Sequence, residues 1–175
     1  NGAYKITSEQ AAKLADIVLV EVKNPKTGIT KKTISRDCVG RDAAVLLAKI
    51  GINVGPDVRC IICETDFNHP FVQEELMMPI LPIVRVNNIE QAIDLAVKAE
   101  HGNRHTAHMH SKNIDHLTRF AKAVETTIFV KNAPSYAGIG AGGEGYTTFT
   151  IAGPTGEGLT AAHSFTRQRR CVLVD

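Results

Sequence analysis

The chain has 175 residues, within the roughly 100–200 of one ordinary domain, and is 43% hydrophobic and 22% charged, which excludes disordered and collagen-like classes. Lysine and arginine number 20 against 18 aspartates and glutamates, a net charge of +2, so no basic block marks a nucleic-acid binder. No apolar run is long enough for a membrane span, Asn1-Gly2-Ala3-Tyr4-Lys5 carries no signal-peptide pattern, and four cysteines make no disulfide scaffold, which points to a reducing, cytoplasmic setting.

Taken in chain order, Thr7 and Gln10 form a capping-box pattern ahead of Ala11, Leu14, Ala15 and Val18, which recur at helical spacing. Residues 23–32, with Asn24-Pro25 and Thr27-Gly28, read as an exposed turn. A second helix is expected over 40–50, with Ala43, Ala44, Leu47 and Ile50 on one side and Gly51 as its stop. Residues 59–63 read as a buried strand and 71–76 as a short helix. Residues 80–86 form another strand, whose Pro82 argues against a central ladder position. Asn88 caps a helix that ends near Gly102, 105–110 alternate as a strand, 114–124 are helical, and 127–130 form a last strand. Strand, helix and strand in alternation give an α/β fold with a mostly parallel twisted sheet and flanking helices. The terminal residues Cys171-Val172-Leu173-Val174 are strand-like, suited to join the home sheet or to pair with another subunit.

Several motifs tempt and fail. Gly138, Gly140, Gly142, Gly143 and Gly145 match a dinucleotide fingerprint twice, but the β-prone Tyr146-Thr147-Thr148-Phe149 that follows opens no helix for a pyrophosphate. Gly153 to Gly158 imitates a P-loop with Leu159 where lysine must stand. His101, His105, His108, His110 and His116 crowd one stretch, and His108 and His110 share a strand face. No carboxylate or cysteine at ligand spacing completes a metal set, so surface or hydrogen-bonding roles are expected, with one general acid/base histidine left open. Cys60 and Cys63 point to opposite faces of a strand and read as structural thiols, and neither Cys38 nor Cys171 has a context that would activate it. Glu74 and Glu75 are either a solvated helix end or a carboxylate grip for a ribose, since one carboxylate accepts two hydrogen bonds.

Glu74-Glu75-Leu76-Met77-Met78-Pro79 resembles the E-E-x-x-x-P signature of the aldehyde dehydrogenase superfamily. Taken with His105-Thr106, the run Phe129-Val130-Lys131-Asn132-Ala133-Pro134-Ser135-Tyr136, Gly142-Gly143-Glu144-Gly145, Pro154-Thr155-Gly156-Glu157-Gly158 and Arg169-Arg170-Cys171-Val172-Leu173, the chain resembles the CoA-acylating aldehyde dehydrogenases of propanediol and ethanolamine utilisation and their clostridial butyraldehyde relatives. That resemblance implies conversion of a short-chain aldehyde, CoA and NAD+ to acyl-CoA and NADH through a cysteine thioester. It places Glu75 on the nicotinamide ribose, Met77 beside it, His105 near the nucleophile for proton transfer or CoA handling, and Pro134, Ser135 and Tyr136 against the aldehyde.

The same resemblance implies that 1–145 are the C-terminal part of a catalytic domain and that 146–175 are a connecting loop and oligomerisation arm, hence a homodimer or homotetramer. In the family the nucleophilic cysteine, the NAD-binding domain and any peptide that directs the enzyme to a microcompartment shell precede the region that Asn1 begins. The chain alone is therefore expected to be an inactive fragment. The alternative is a truncated, non-catalytic paralogue that serves oligomerisation or binding. A third reading, an acylating domain of a bifunctional alcohol dehydrogenase, fits the 154–158 and 169–173 motifs less well.

Overall fold

The computed structural model describes residues 2–23, 28, 30–142 and 165–174. The glycine motifs at 143–158 and most of the connection at 146–164 lie outside the described residues, as does the expected boundary between 145 and 146. Contacts divide the chain into two units, Asn1–Val86 and Asn87–Asp175. Among the described residues no helix is long and apolar enough to cross a membrane.

The first unit is built on three parallel strands in the order β1 (Ala3–Ile6), β4 (Cys60–Glu64) and β5 (Ile80–Ile83). Its helix α1 (Ser8–Val18) starts where the capping box requires: the Gln10 amide donates to Thr7 Oγ1 at 3.2 Å, and the Thr7 amide donates to Gln10 Oε1 at 2.9 Å. The 3.6-residue periodicity then brings Ala11, Leu14, Ala15 and Val18 to one buried stripe, packed with Ile6, Leu46, Leu47, Ile61 and Cys63. Complete burial of a leucine such as Leu14 contributes about 1.5–3 kcal/mol, which is why this stripe seats the helix. Pro82 falls on β5, at the edge of this sheet, opposite Cys63, as its missing N–H requires.

Three expectations need correction here. Strands β2 (Leu19–Lys23) and β3 (Thr30–Ile34) pair antiparallel, with Glu21 opposite Lys32 and Val20 opposite Thr33. The ends of the segment read as a turn are thus strand, held by ladder hydrogen bonds that its charged composition conceals. Helix α2 is only Ala43–Ala48. Gly40 at φ +67° lies in a turn before it, and Gly51 at φ +82° closes the three-residue turns after it, a backbone that favours glycine. Helix α3 is Pro70–Gln73, with proline in its first turn. It stops short of Leu76, because Glu74 is already extended.

In the second unit, α4 (Ile89–Ala99) and α5 (Ile114–Val124) are capped by Asn88 and Asn113, whose side chains accept from Gln91 N at 2.8 Å and His116 N at 3.1 Å. Strands β6 (Thr106–Met109) and β7 (Ile128–Lys131) pair in parallel, with Thr106 opposite Ile128 and Met109 opposite Lys131. Period-two alternation divides the two faces of this ladder. Phe129 meets Phe120 of α5 edge to face at 5.3 Å, and Met109 lines an apolar groove with Phe120, Ile89, Ala92, Ile93 and Ala96. Ile128 and Val130 instead meet a 3₁₀ turn, Ser135–Ile139. The segment 167–174 is exposed and forms no strand with the described residues, so of the two pairings open to it, the one with the home sheet is not observed.

Candidate functional site

The acidic segment of the first unit is fixed at four points. The Glu74 amide donates to Pro70 O at 2.9 Å, Leu76 is buried, the Met77 carbonyl accepts from Gly40 N at 3.1 Å, and the Pro79 carbonyl accepts from Ile61 N at 2.8 Å. With Leu76 turned into the core, its neighbours Glu75 and Met77 both project outward, and Met77 is 59% exposed. Met77 holds a left-handed backbone at φ +52°, which non-glycine residues adopt only where the surroundings impose it. Among the described residues Glu75 has no ion pair or side-chain hydrogen bond, so its carboxylate oxygens are available to accept from a diol. Beside it, Met77, Met78 and Pro79 form one wall of an open cleft of about 900 Å³, whose other walls include Arg41, Val45 and Arg59. A carboxylate with no partner among the described residues, beside a thioether and an open cleft, has two oxygens with which to accept from a diol.

This segment depends on a histidine that the sequence reading passed over. His69 caps α3: its Nδ1 accepts from Phe71 N at 3.1 Å, and its ring lies edge-on to Phe71, centroids 4.8 Å apart. Burial pushes the imidazole pKa down, against a weaker upward pull from Asp66. The unfolded chain takes its proton first, at the ordinary value of about 6.5. The cap's contribution is therefore complete above that pH and is lost as pH falls through it toward the depressed folded value. Thermal unfolding between pH 7 and pH 5 is expected to show a fall in Tm that His69→Asn, a cap that does not titrate, reduces. Identical slopes for the two proteins would remove His69 from this role.

In the second unit the predicted residues fall at opposite ends of the β6–β7 ladder. His105 precedes β6, after Arg104 at φ +52°. Its amide donates to Glu100 Oε1 at 3.3 Å, its carbonyl accepts from Ile128 N at 3.1 Å, and its Nδ1 is paired with Thr106 Oγ1. Arg104 is itself paired with Glu125 at 2.9 Å. Pro134, Ser135 and Tyr136 follow β7 at the other end, where Pro134 caps the 3₁₀ turn and Tyr136 is 67% exposed. The histidine that touches this loop is His108, whose Nδ1 lies 3.2 Å from Ser135 Oγ. His110 stacks edge-on to His108 at 5.7 Å, the shared face expected of alternate strand positions. Among the described residues no three metal-ligating side chains cluster.

The thiols of Cys60 and Cys63 are shielded rather than activated. Cys38 and Cys63 are buried, and burial pushes the pKa of Cys63 up, with Cys60 adding to it; burial likewise raises that of half-buried Cys60. A pKa raised in this way leaves Cys60 and Cys63 with less reactive thiolate. Cys171 lies exposed in the terminal segment.

Residues 52–167 match the model of the aldehyde dehydrogenase family. The chain is 53% identical over 173 residues to the acetylating acetaldehyde dehydrogenase EutE of Salmonella typhimurium, covering 99% of this chain and 36% of that protein. It thus spans about a third of the length of this curated relative. Among solved structures it superposes on Rhodopseudomonas palustris propionaldehyde dehydrogenase with bound propionyl-CoA, with a TM-score of 0.84 and 56% identity, over 99% of this chain and 36% of that one. It also superposes on a propionaldehyde dehydrogenase from the Clostridium phytofermentans fucose utilisation bacterial microcompartment, with a TM-score of 0.83 and 55% identity, over 98% and 37% of the two chains.

Proposed function

We infer, because this chain belongs to the aldehyde dehydrogenase family, that it serves in the oxidation of a short-chain aldehyde to its acyl-CoA, with NAD+ as hydride acceptor and CoA as acyl acceptor. The observation that carries the reading is the outward pair Glu75 and Met77, held between the anchored residues Glu74, Leu76 and Pro79 beside an open cleft. Glu75 holds the nicotinamide ribose through its hydroxyls, and Met77 packs against it. His105 moves a proton at its Nε2 or handles CoA, and Pro134, Ser135 and Tyr136 line the aldehyde site. The nucleophile is assigned to a cysteine outside these 175 residues, because Cys38 and Cys63 are buried and burial pushes the pKa values of Cys60 and Cys63 up.

By domain, residues 1–145 contribute to a catalytic domain, and 146–175 form the connection and arm. Exposed Val172, Leu173 and Val174 support an interface between subunits of a homodimer or homotetramer, and a microcompartment interior is the setting that the Clostridium phytofermentans relative indicates. An enzyme that sediments as a monomer would remove the oligomeric part of the reading.

The activity is tested with propionaldehyde, CoA and NAD+. The purified 175-residue chain is expected to form no NADH above the uncatalysed rate, and to form it when joined to a cysteine-bearing, NAD-binding segment. In the joined enzyme, Glu75→Ala is expected to raise the NAD+ KM about 10- to 100-fold, the equivalent of charge-assisted hydrogen bonds worth about 1.5–3 kcal/mol. Turnover by the chain alone would overturn the assignment of the nucleophile, and an unchanged NAD+ KM would overturn that of Glu75.

A further inference from the structure

The groups that hold the proposed aldehyde loop reach back along both strands of the β6–β7 ladder. Asn132 follows β7 in the left-handed region, at φ +55°. Its amide nitrogen donates to Met109 O at 2.9 Å. Its side chain pairs with the Ser111 backbone in both directions: Oδ1 accepts from Ser111 N at 2.7 Å, and Nδ2 donates to Ser111 O at 2.9 Å. A primary amide has the donor and acceptor of a peptide group, so Asn132 extends the ladder past the Met109–Lys131 pair.

Ser111 is in turn tied to the start of α5, since its Oγ accepts from Asn113 N at 3.0 Å and Asn113 caps that helix. The direction in which the chain leaves β7 is thus fixed to the β6–α5 connection. Beyond it, the loop is held by Ser135 against His108 and by the 3₁₀ turn against Ile128 and Val130.

We propose that Asn132 is a positioning residue for the aldehyde: its side-chain amide, paired both ways with Ser111, sets where Ser135 and Tyr136 stand. The proposal rests on the reading of 134–136 as the aldehyde-facing loop. Asparagine suits the position for two reasons, its tolerance of left-handed backbone and its peptide-like side chain.

Two substitutions separate these properties. Asn132→Gly keeps the backbone freedom and deletes both amide bonds. Asn132→Asp keeps the acceptor for Ser111 N but sets a carboxylate oxygen against Ser111 O. In the active enzyme each is expected to raise the aldehyde KM at least fivefold, with the KM values for CoA and NAD+ within twofold of wild type. In the 175-residue chain each is expected to speed hydrogen exchange at the Ser135–Ile139 amides, where an effect confined to global stability would speed exchange everywhere alike.

An aldehyde KM within twofold of wild type in both variants overturns the proposal, and so does exchange that is unchanged. Tyr136→Ala separates the two readings. If it raises the aldehyde KM and the Asn132 variants do not, positioning alone fails. If it too leaves the KM unmoved, the loop does not face the aldehyde and the proposal falls with that reading.

Discussion

His105→Ala is expected to slow CoA-dependent aldehyde oxidation about 100-fold or more in the active enzyme, the usual scale for loss of a positioned general acid or base. The geometry favours a chemical role over a packing one. The His105 side chain is exposed, yet its backbone is held on both sides, by Glu100 at the amide and by Ile128 at the carbonyl. Thr106 Oγ1 occupies Nδ1, which orients the ring and leaves Nε2 without a partner among the described residues. An imidazole tethered at one nitrogen and open at the other is oriented to pass a proton to or from a bound group. Because the side chain buries little, the same substitution is expected to change stability by no more than about 0.5 kcal/mol. Single-turnover acyl transfer, measured beside thermal unfolding, checks both statements. A rate within twofold of wild type would remove His105 from the mechanism. Thr106→Ala, which frees Nδ1, is expected to give a smaller loss.

Gly138→Ala is expected to disturb the other end of the site through packing. A Cβ at Gly138 would stand 2.3 Å from Ile128 Cγ2 and 3.0 Å from Val130 Cγ2. Both contacts are β-branched side chains on a paired strand, with few rotamers open to them, so the 3₁₀ turn must move away. Overpacking of this kind costs about 1–3 kcal/mol, and at this chain length each kcal/mol lowers Tm by roughly 2–4 °C. The displaced turn carries Ser135 and Tyr136 with it, so the aldehyde KM is expected to rise while the NAD+ KM stays put. Calorimetry of the variant and its aldehyde kinetics provide the check. A Tm unchanged within 1 °C would show that the turn absorbs the methyl at no cost.

Where the fold was legible in sequence, the determinants were local. Thr7 and Gln10 announce α1 because a capping box is a contact between residues three apart, and Asn88 announces α4 in the same way. Strand β4 was legible because Ile61 and Cys63 are completely buried and the strand is apolar on both faces. The pairing of β2 with β3 was not, since past Leu19 the described side chains are exposed or partly so, glutamate, lysine and threonine among them. Backbone pairing holds it, and side-chain pattern does not report backbone pairing. Strand β1, four residues long with only Ile6 buried, is too short for its alternation to stand out.

The site divides along the same line. Glu75 and Met77 lie in a contiguous motif and could be read directly. The contacts of His108 with Ser135 and of Asn132 with Ser111 span 27 and 21 residues, and exist only once β6 and β7 are in register. A crowd of histidines marks the stretch, but spacing alone could not say which ring meets the loop. His69 was passed over because histidine is not among the common capping residues.

The two ends of the β6–β7 ladder carry different chemistry, with His105 before the first rung and Asn132 after the last. A strand advances about 3.3 Å per residue, so four paired positions act as a gauge block of roughly 10 Å between the end that carries His105 and the loop. Such a spacing can change only in whole-residue steps. One residue added to β7 would push the loop out by a full step and turn Ile128 and Val130 from the 3₁₀ turn toward the helices. A change in loop position smaller than one residue is therefore left to side chains on the loop, because the frame beneath it has no smaller increment.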